Sequence, residues 1–441
     1  MNKNKAHVAI IGGGMAGLSA AAALAAQDVK TTIFEAGPHL GGRARSVAIE
    51  FNSQTFQVDN GQHILLGAYH ETIKLLAMVG VQEGQAFTRL PLMLNMVSPR
   101  HKKLFKLGSL KYLPHPFNQL FGFLCCQGLS FTDRLSALKF LFKLKTSRYR
   151  LTTDVPLSDF LTKNHQSKYL TQFLWEPLCL AALNTPIHLA SSKVFLNVLH
   201  DAFNAGKHDS DFLVPKLDLS QILSTPVARF LQAHQSTILT NKRVRSIKPL
   251  DSGFEVATRL EKHVFSHGII ATAARKLKVL TQDLPKLDFV ASQAEAYDYQ
   301  PIYTVYLQYA KHVKLPQPML GLVDLTSQWI FDRGQLCGQS GLMAVVISAE
   351  GNHQKLSQDM LALKVAQELH VAFPQLNKPM WHKVIAEKRA TFSCNVNLPR
   401  PANVTAYPDL FLAGDYTYAD YPATIEGAVR SGVACANLIL K

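Results

Sequence analysis

Apolar and polar positions along this chain follow two rhythms, and the changes of rhythm mark its parts. "HVAII" (7–11) is a short continuous apolar run, which predicts a buried strand. Gly12-Gly13-Gly14-Met15-Ala16-Gly17 follows, then the Ala-rich "LSAAAALAAQ", a helix, and "VKTTIFEA" (29–36), a second strand. Strand, helix and strand in this order form a βαβ unit of about 30 residues. Residues 51–69 read as strand, turn and strand, ending in "DNGQHILLGAYH", and 71–80 as a helix. From 85 to 235 Phe, Leu and Lys dominate, Gly thins out, and helical patterns appear at 118–127, 131–145, 157–163, 168–183 and 190–204. This stretch is expected to be a mainly helical insertion. Strand patterns return at 236, around a turn at Asp251-Ser252-Gly253. A mixed region (297–390) carries "IYTVYLQYA" and "SGLMAVVISAE" as strands and "QKLSQDMLALKVAQELHVAF" as an amphipathic helix. The chain closes with a strand, "FLAGDYTYADY", running into an acidic turn. A helix (421–440) follows, with Ile425, Val429, Val433 and Leu440 on one stripe. The pattern divides the chain into a nucleotide-binding part at 1–84, 236–296 and 391–441, and a second part at 85–235 and 297–390.

Composition narrows the picture. At 441 residues, with 47% hydrophobic and 17% charged side chains, the chain is a folded protein long enough for two interleaved domains. Its 46 Lys and Arg exceed its 31 Asp and Glu by 15, which favours anionic surfaces, nucleic acid or phosphates as partners. No nucleic-acid motif is present. The longest apolar stretches, such as "LFGFLCC" (120–126), fall short of the roughly 20 residues a spanning helix needs. "HVAII" passes directly into the glycine motif and does not read as a signal peptide. Six cysteines without CxxC spacing or His partners read as reduced thiols, and no metal site is expected. A cytoplasmic protein is expected, peripheral on the inner face of the membrane. "RHKKLFKLGSLKYLPHP" (100–116), with Lys102, Lys103 and Lys106 among Leu, Phe and Tyr, is the expected contact with that surface.

The chemistry begins at Gly12-x-Gly14-x-x-Gly17, between a strand and a helix. The first Gly permits the tight turn, the second close approach of backbone to a pyrophosphate, and the third close packing of helix on strand. Phosphate is expected at the helix N-terminus, beside Met15 and Ala16. Glu35, 18 residues after Gly17, closes the second strand with Ala36 beside it. A carboxylate there accepts hydrogen bonds from ribose hydroxyls.

The next segment, "GPHLGGRARS" (37–46), resembles the GG doublet of flavoproteins with two dinucleotide-binding domains, the group of amine oxidases and phytoene desaturases. The resemblance implies FAD as cofactor and a Rossmann-like α/β fold with a mixed α+β substrate domain. Gly41, Gly42 and Arg43 would face the pyrophosphate and flavin side. "LAGD" resembles the group's second FAD motif. Gly414 and Asp415 would then meet the ribityl or phosphate-linking part, and the helix opening at Ala423, Thr424 and Ile425 would aim its N–H groups at the flavin edge. Val244 would meet the adenine through its backbone.

Longer blocks narrow the family. "VDNGQHILLGAYHETIKLL" (58–76), "LWEPLCLAALNTPIHLASSKVFLNVLHDAF" (174–203) and "YPATIEGAVRSG" (421–432) closely resemble bacterial hydroxysqualene dehydroxylases. The resemblance implies reductive removal of the allylic hydroxyl of hydroxysqualene to give squalene, for hopanoid or related triterpene synthesis. An acid would assist departure of water, and hydride would pass from reduced flavin to the allylic carbon. His63 is the candidate proton donor. Asn60, Trp175 and Asn184 are candidate substrate contacts, with Glu176 beside them; Asp59 is expected to cap its turn. A carotenoid-type desaturase, an amine oxidase and a non-catalytic prenyl-binding scaffold remain alternatives. The electron donor is not named by the sequence, since no second nucleotide motif is visible.

Overall fold

The computed structural model describes residues 6–99, 103–108, 117–204 and 206–441. A five-stranded parallel sheet runs in the order Thr237–Leu239, Lys30–Phe34, His7–Ile11, His267–Ile270, Leu410–Leu412. Parallel strands covered on both faces must be apolar throughout, and Val8, Ala9, Ile10 and Ile11 are at most 4% exposed. One face is covered by the helix Met15–Ala25, against which Thr225–Ala233 and Ile425–Ile439 pack. An antiparallel meander, Ser246–Pro249, Phe254–Ala257 and Lys262–Phe265, meets the sheet through Phe265, which sits edge-on to Phe34 and His7. The outermost strand comes from residue 410, so the sheet is complete only when the two ends of the chain have met.

That meeting is a close helix–helix contact. A Cβ on Gly432 would lie 2.1 Å from the Ala16 carbonyl oxygen and 2.2 Å from Ser19 Oγ. Ser19 Oγ donates to the Ala16 carbonyl and reaches that of Val429 at 3.3 Å. The last helix also carries Glu426, fully buried, whose carboxylate caps the helix His70–Met78. It accepts from Glu71 N (3.1 Å), Thr72 N (2.9 Å) and Thr72 Oγ1 (2.7 Å). Arg430, one turn on, donates to the same carboxylate at 2.7 Å, reaches Asp201 at 3.1 Å, and stacks on Tyr421. Three distant segments are thereby tied through one buried carboxylate.

A seven-stranded sheet forms the second layer, in the order Trp381–Phe392, Tyr299–Gln308, Leu342–Ser348, Trp329–Asp332, Met319–Leu322, Met93–Ser98, Lys103–Gly108. The amphipathic helix Gln358–Ala372 packs on it. The last two strands lie inside the stretch expected to be mainly helical, and Phe87–Leu90 and Phe212–Pro215 pair there as well. The cause is period. In "KLFKL" Leu104 and Lys106 are exposed while Phe105 and Leu107 are buried, a two-residue alternation hidden by the Lys content of its surroundings. The expected helices stand at Phe117–Leu124, Phe131–Thr146, Leu157–Lys163 and Ser192–Asn204, and from Lys168 to Leu183 with a π turn at Thr171–Trp175. The basic run 100–116 lies largely outside the described residues; within it, Lys106 is exposed. Among the described residues no helix is long and apolar enough to cross a membrane.

Two predictions follow from these contacts. Gly432→Ala forces a methyl against the Ala16 carbonyl and should destabilise by about 1–3 kcal/mol, seen as a lower thermal midpoint. Gly84→Ala, where an added Cβ meets nothing within 4 Å, should leave the midpoint unchanged. Glu426→Ala strands Arg430 and two helix N–H groups, and should cost about 3–5 kcal/mol in chemical denaturation.

Candidate active site

Three glycines of the first loop have three different surroundings. Gly12 has φ +119°, and a Cβ there would lie 2.4 Å from the Ala271 carbonyl oxygen. A Cβ on Gly17 would sit 2.0 Å from the Gly12 carbonyl oxygen. Both positions exclude side chains for reasons internal to the fold. Gly14 differs: a Cβ there would meet no atom within 4 Å. It is the N-cap of the helix Met15–Ala25 and offers no side chain to accept from the first-turn N–H groups. Gly41 N donates to the Gly13 carbonyl at 2.8 Å, bringing the Gly41-Gly42-Arg43 loop against the first. Thr272, next to Ala271, holds a buried hydroxyl without a partner among the described residues. An open glycine, an uncapped helix and an unpartnered hydroxyl at the carboxyl ends of parallel strands fit the phosphate and ribityl portions of a dinucleotide.

Glu35 is placed at this cradle, but its carboxylate is already engaged. Oε2 accepts from Gly13 N at 2.8 Å and Oε1 from Gly37 N at 2.7 Å. It clasps both loops, and Ala36 follows exposed in the turn. Lys242 N donates to the Glu35 carbonyl at 2.9 Å, which draws the segment containing the buried Val244 to the same end of the sheet.

Arg43 and Asp415 were expected to meet a cofactor separately; the structure joins them to each other. Arg43 Nη2 lies 2.6 Å from Asp415 Oδ2, and Nη1 donates to the Ala390 carbonyl at 2.6 Å. The adjacent carboxylate raises the guanidinium pKa further. The Asp415 carbonyl also receives Arg400, whose guanidinium stacks on Phe392. Gly414 N donates to Ser431 Oγ, and a Cβ on Gly414 would strike the Tyr416 ring at 2.4 Å. Thr424 is the N-cap of the last helix, its Oγ1 accepting from Gly427 N at 3.0 Å. Ala423 precedes this cap, and Ile425 opens the helix. Tyr416 and Tyr421 carry buried hydroxyls without partners among the described residues, and burial raises both phenol pKa values.

The segment Asp59–His63 faces the second sheet. Tyr306 donates to the Asp59 carbonyl at 2.9 Å. Asp59 Oδ1 accepts from Leu219 N, while Oδ2 is buried without a partner among the described residues, and burial pushes this carboxyl up to about 6. Asp59 therefore ties the 218–224 segment rather than capping its own turn. Asn60 is half-buried, its N–H bonded to the Arg45 carbonyl. His63 Nδ1 lies 2.5 Å from the Gly61 carbonyl, which fixes the Nδ1–H tautomer and leaves Nε2 as an acceptor. Burial lowers the His63 pKa. A Cβ on Gly61 would lie 3.7 Å from both His63 Cε1 and Thr304 Oγ1, the latter buried without a partner among the described residues. Thr304 had no local signal in the sequence; only strand pairing brings it here.

Trp175 and Asn184, expected along a substrate path, are held by protein contacts. Trp175 is 1% exposed, packs edge-on to Phe140, and donates Nε1–H to Gln166. Asn184 is a left-handed helix cap whose Nδ2 donates to Thr391 Oγ1 and whose Oδ1 accepts from Ala349 N. Glu176 opens the helix after Trp175, and burial raises its pKa. The six cysteines form no disulfide, and no metal-holding cluster occurs among the described residues.

The model for flavin-containing amine oxidoreductases matches residues 15–440. Hydroxysqualene dehydroxylase of Zymomonas mobilis is 28% identical, with 98% of both chains covered. Zeta-carotene desaturase of Synechocystis is 23% identical over 98% of this chain and 97% of that one. Cyclohexylamine oxidase of Brevibacterium oxydans shares the fold with a TM-score of 0.72 at 16% identity, over 99% of this chain and 100% of that one. The glycine cradle, the Rossmann-like sheet and this match agree on FAD as cofactor. The chain belongs to the flavin-containing amine oxidoreductase family and is an FAD-dependent oxidoreductase.

Proposed function

We propose that this oxidoreductase reductively removes the allylic hydroxyl of hydroxysqualene, giving squalene for hopanoid or related triterpene synthesis. The observation that carries this reading is the likeness to hydroxysqualene dehydroxylase across 98% of both chains. When bound in its reduced form, FAD supplies the hydride. The carbon–oxygen bond breaks, oxygen leaves as water after taking up a proton, and the hydride electron pair forms the new carbon–hydrogen bond. The protein's task is to hold an apolar C30 chain out of water and to deliver that proton. Each buried CH₂ contributes about 0.8 kcal/mol to holding such a chain.

His63 is the proposed proton donor, with Asn60 and Thr304 as polar neighbours of the leaving hydroxyl. Its only N–H in the neutral form points at Gly61. Donation through Nε2 therefore requires the imidazolium, and burial makes that form scarce at neutral pH. A second reading, a carotenoid-type desaturase acting oxidatively, draws on the likeness to zeta-carotene desaturase.

Photoreduced holoprotein incubated anaerobically with hydroxysqualene should release squalene. Unchanged hydroxysqualene at full flavin occupancy, with dehydrogenation of phytoene or zeta-carotene by the oxidised protein, would establish the second reading instead. For His63 the sign is fixed by its lowered pKa. The protonated form disappears as pH rises through that value, so kcat/KM should climb toward acid from a midpoint below 6.5. His63→Ala should lose that limb and at least about 100-fold in turnover, with flavin content unchanged.

A further inference from the structure

The helix Phe131–Thr146 is apolar on two opposite sides. Ala137, Phe140 and Leu144 are 0%, 3% and 2% exposed and pack inward. On the other side Phe131 is 76% exposed, Leu135 43% and Phe142 70%, with half-buried Leu138 at the margin. At 3.6 residues per turn, positions 131, 135, 138 and 142 fall within a sector of about 60°. Exposed Lys139 and Lys143 border this stripe on one flank; Arg134 and exposed Lys145 border the other. The stripe continues onto its neighbours. Arg134 Nη1 donates to the Leu124 carbonyl at 2.9 Å, setting the end of the helix Phe117–Leu124 beside it, with Phe121 42% and Leu124 40% exposed. Gln127 bridges to Lys106, and Leu104, 41% exposed, projects from the same strand edge.

The sequence around this helix is also rich in positive charge. Residues 100–170 hold thirteen Lys and Arg against three Asp, ten of the chain's fifteen net positive charges. Six of the eighteen large apolar side chains exposed among the described residues fall between 104 and 142.

We propose that this face, the outward stripe of Phe131–Thr146 with Leu104, Phe121 and Leu124, docks the enzyme on the surface of an anionic lipid bilayer. Exposed Phe and Leu bordered by cations on long flexible stems match the apolar and headgroup layers of a bilayer leaflet. A nucleic acid would use the cations but leave the phenylalanines in water. A second copy of this chain would set like charges against each other. The proposed contact is with one leaflet; among the described residues no helix is long and apolar enough to cross a membrane. The proposal rests on surface chemistry and does not depend on which isoprenoid the enzyme reduces.

The test is flotation of the full-length holoprotein with vesicles of phosphatidylcholine alone or mixed with phosphatidylglycerol. The wild type should float with the anionic vesicles, and added salt should reduce this. The double variant F131S/F142S should bind at least about tenfold less, since apolar insertion supplies the part of binding that salt cannot remove. The triple variant K139E/K143E/K145E should lose the preference for anionic lipid. Flavin content and circular dichroism establish that the variants fold, and single Phe131→Ser and Phe142→Ser variants replace any that do not. A wild type that stays with neither vesicle overturns the proposal, as does equal flotation of the folded variants. Concentration-dependent dimerisation or DNA binding without flotation assigns the face to another partner and also overturns it.

Discussion

The distance between the first and last helices governs this structure. Gly432 lets Ile425–Ile439 approach until Ser19 touches the Val429 carbonyl. Everything after residue 410 is positioned by that approach: the edge strand Leu410–Leu412, the turn carrying Gly414 and Asp415, and the Thr424 cap. The partner of Arg43 is therefore supplied from 372 positions away. Such a site has no local precursor. Parallel strands joined across the whole chain carry a large loop-closure cost before any contact repays it. The cradle at Gly12–Gly17 is local and inexpensive to form, whereas its ceiling requires the complete chain.

This difference explains what the sequence shows and what it hides. A strand, a glycine turn and a helix are adjacent in sequence, so the nucleotide cradle is legible there, as is the opening of the last helix near Thr424. Glu426 is not. At the second position of a helix it reads as an ordinary acid near a positive helix end, and nothing nearby says that it caps a different helix 354 positions upstream. Asn184 illustrates the converse. An amide inside a motif-rich block looks available, yet a left-handed backbone at φ 47° and bonds to Thr391 and Ala349 commit the side chain to structure. The strand Met93–Ser98 was hidden for a third reason. Short apolar runs fit a buried strand or a buried helix equally, and only pairing with Met319–Leu322 decides between them.

Burial sets the protonation states beside the proposed reaction centre. It acts in opposite directions on Asp59 and His63, making both more often neutral near pH 7. A neutral His63 suits the proposed hydrocarbon site, because an uncompensated charge would hold water there. It also makes proton delivery the step most sensitive to environment. Arg333 shows how the neighbourhood is balanced: it lies over the Tyr306 ring, bonds Gln62, and opposes the upward shift of Asp59.

The distribution of charge separates cofactor recognition from surface behaviour. Outside residues 100–170 the chain carries 33 Lys and Arg against 28 Asp and Glu, close to balance. Arg43, the cation of the GG loop, is neutralised by Asp415. A pyrophosphate in this cradle would therefore be met mainly by peptide N–H groups and a helix N-terminus, whose partial charges are fixed by the fold. Backbone dipoles neither swing away nor need a counter-ion when the site is empty. Lys139, Lys143 and Lys145 stand instead on a helix whose inner face, Ala137, Phe140 and Leu144, belongs to the core. Phe105 packs against Phe173 and Phe140 against Trp175, while Leu104 and Phe142 look outward from the same strand and helix. One pair of elements thus carries both the wall of the interior and the most cationic, most apolar part of the surface. Any displacement of that surface must also be felt by the packing around Trp175, because protein interiors transmit strain instead of absorbing it.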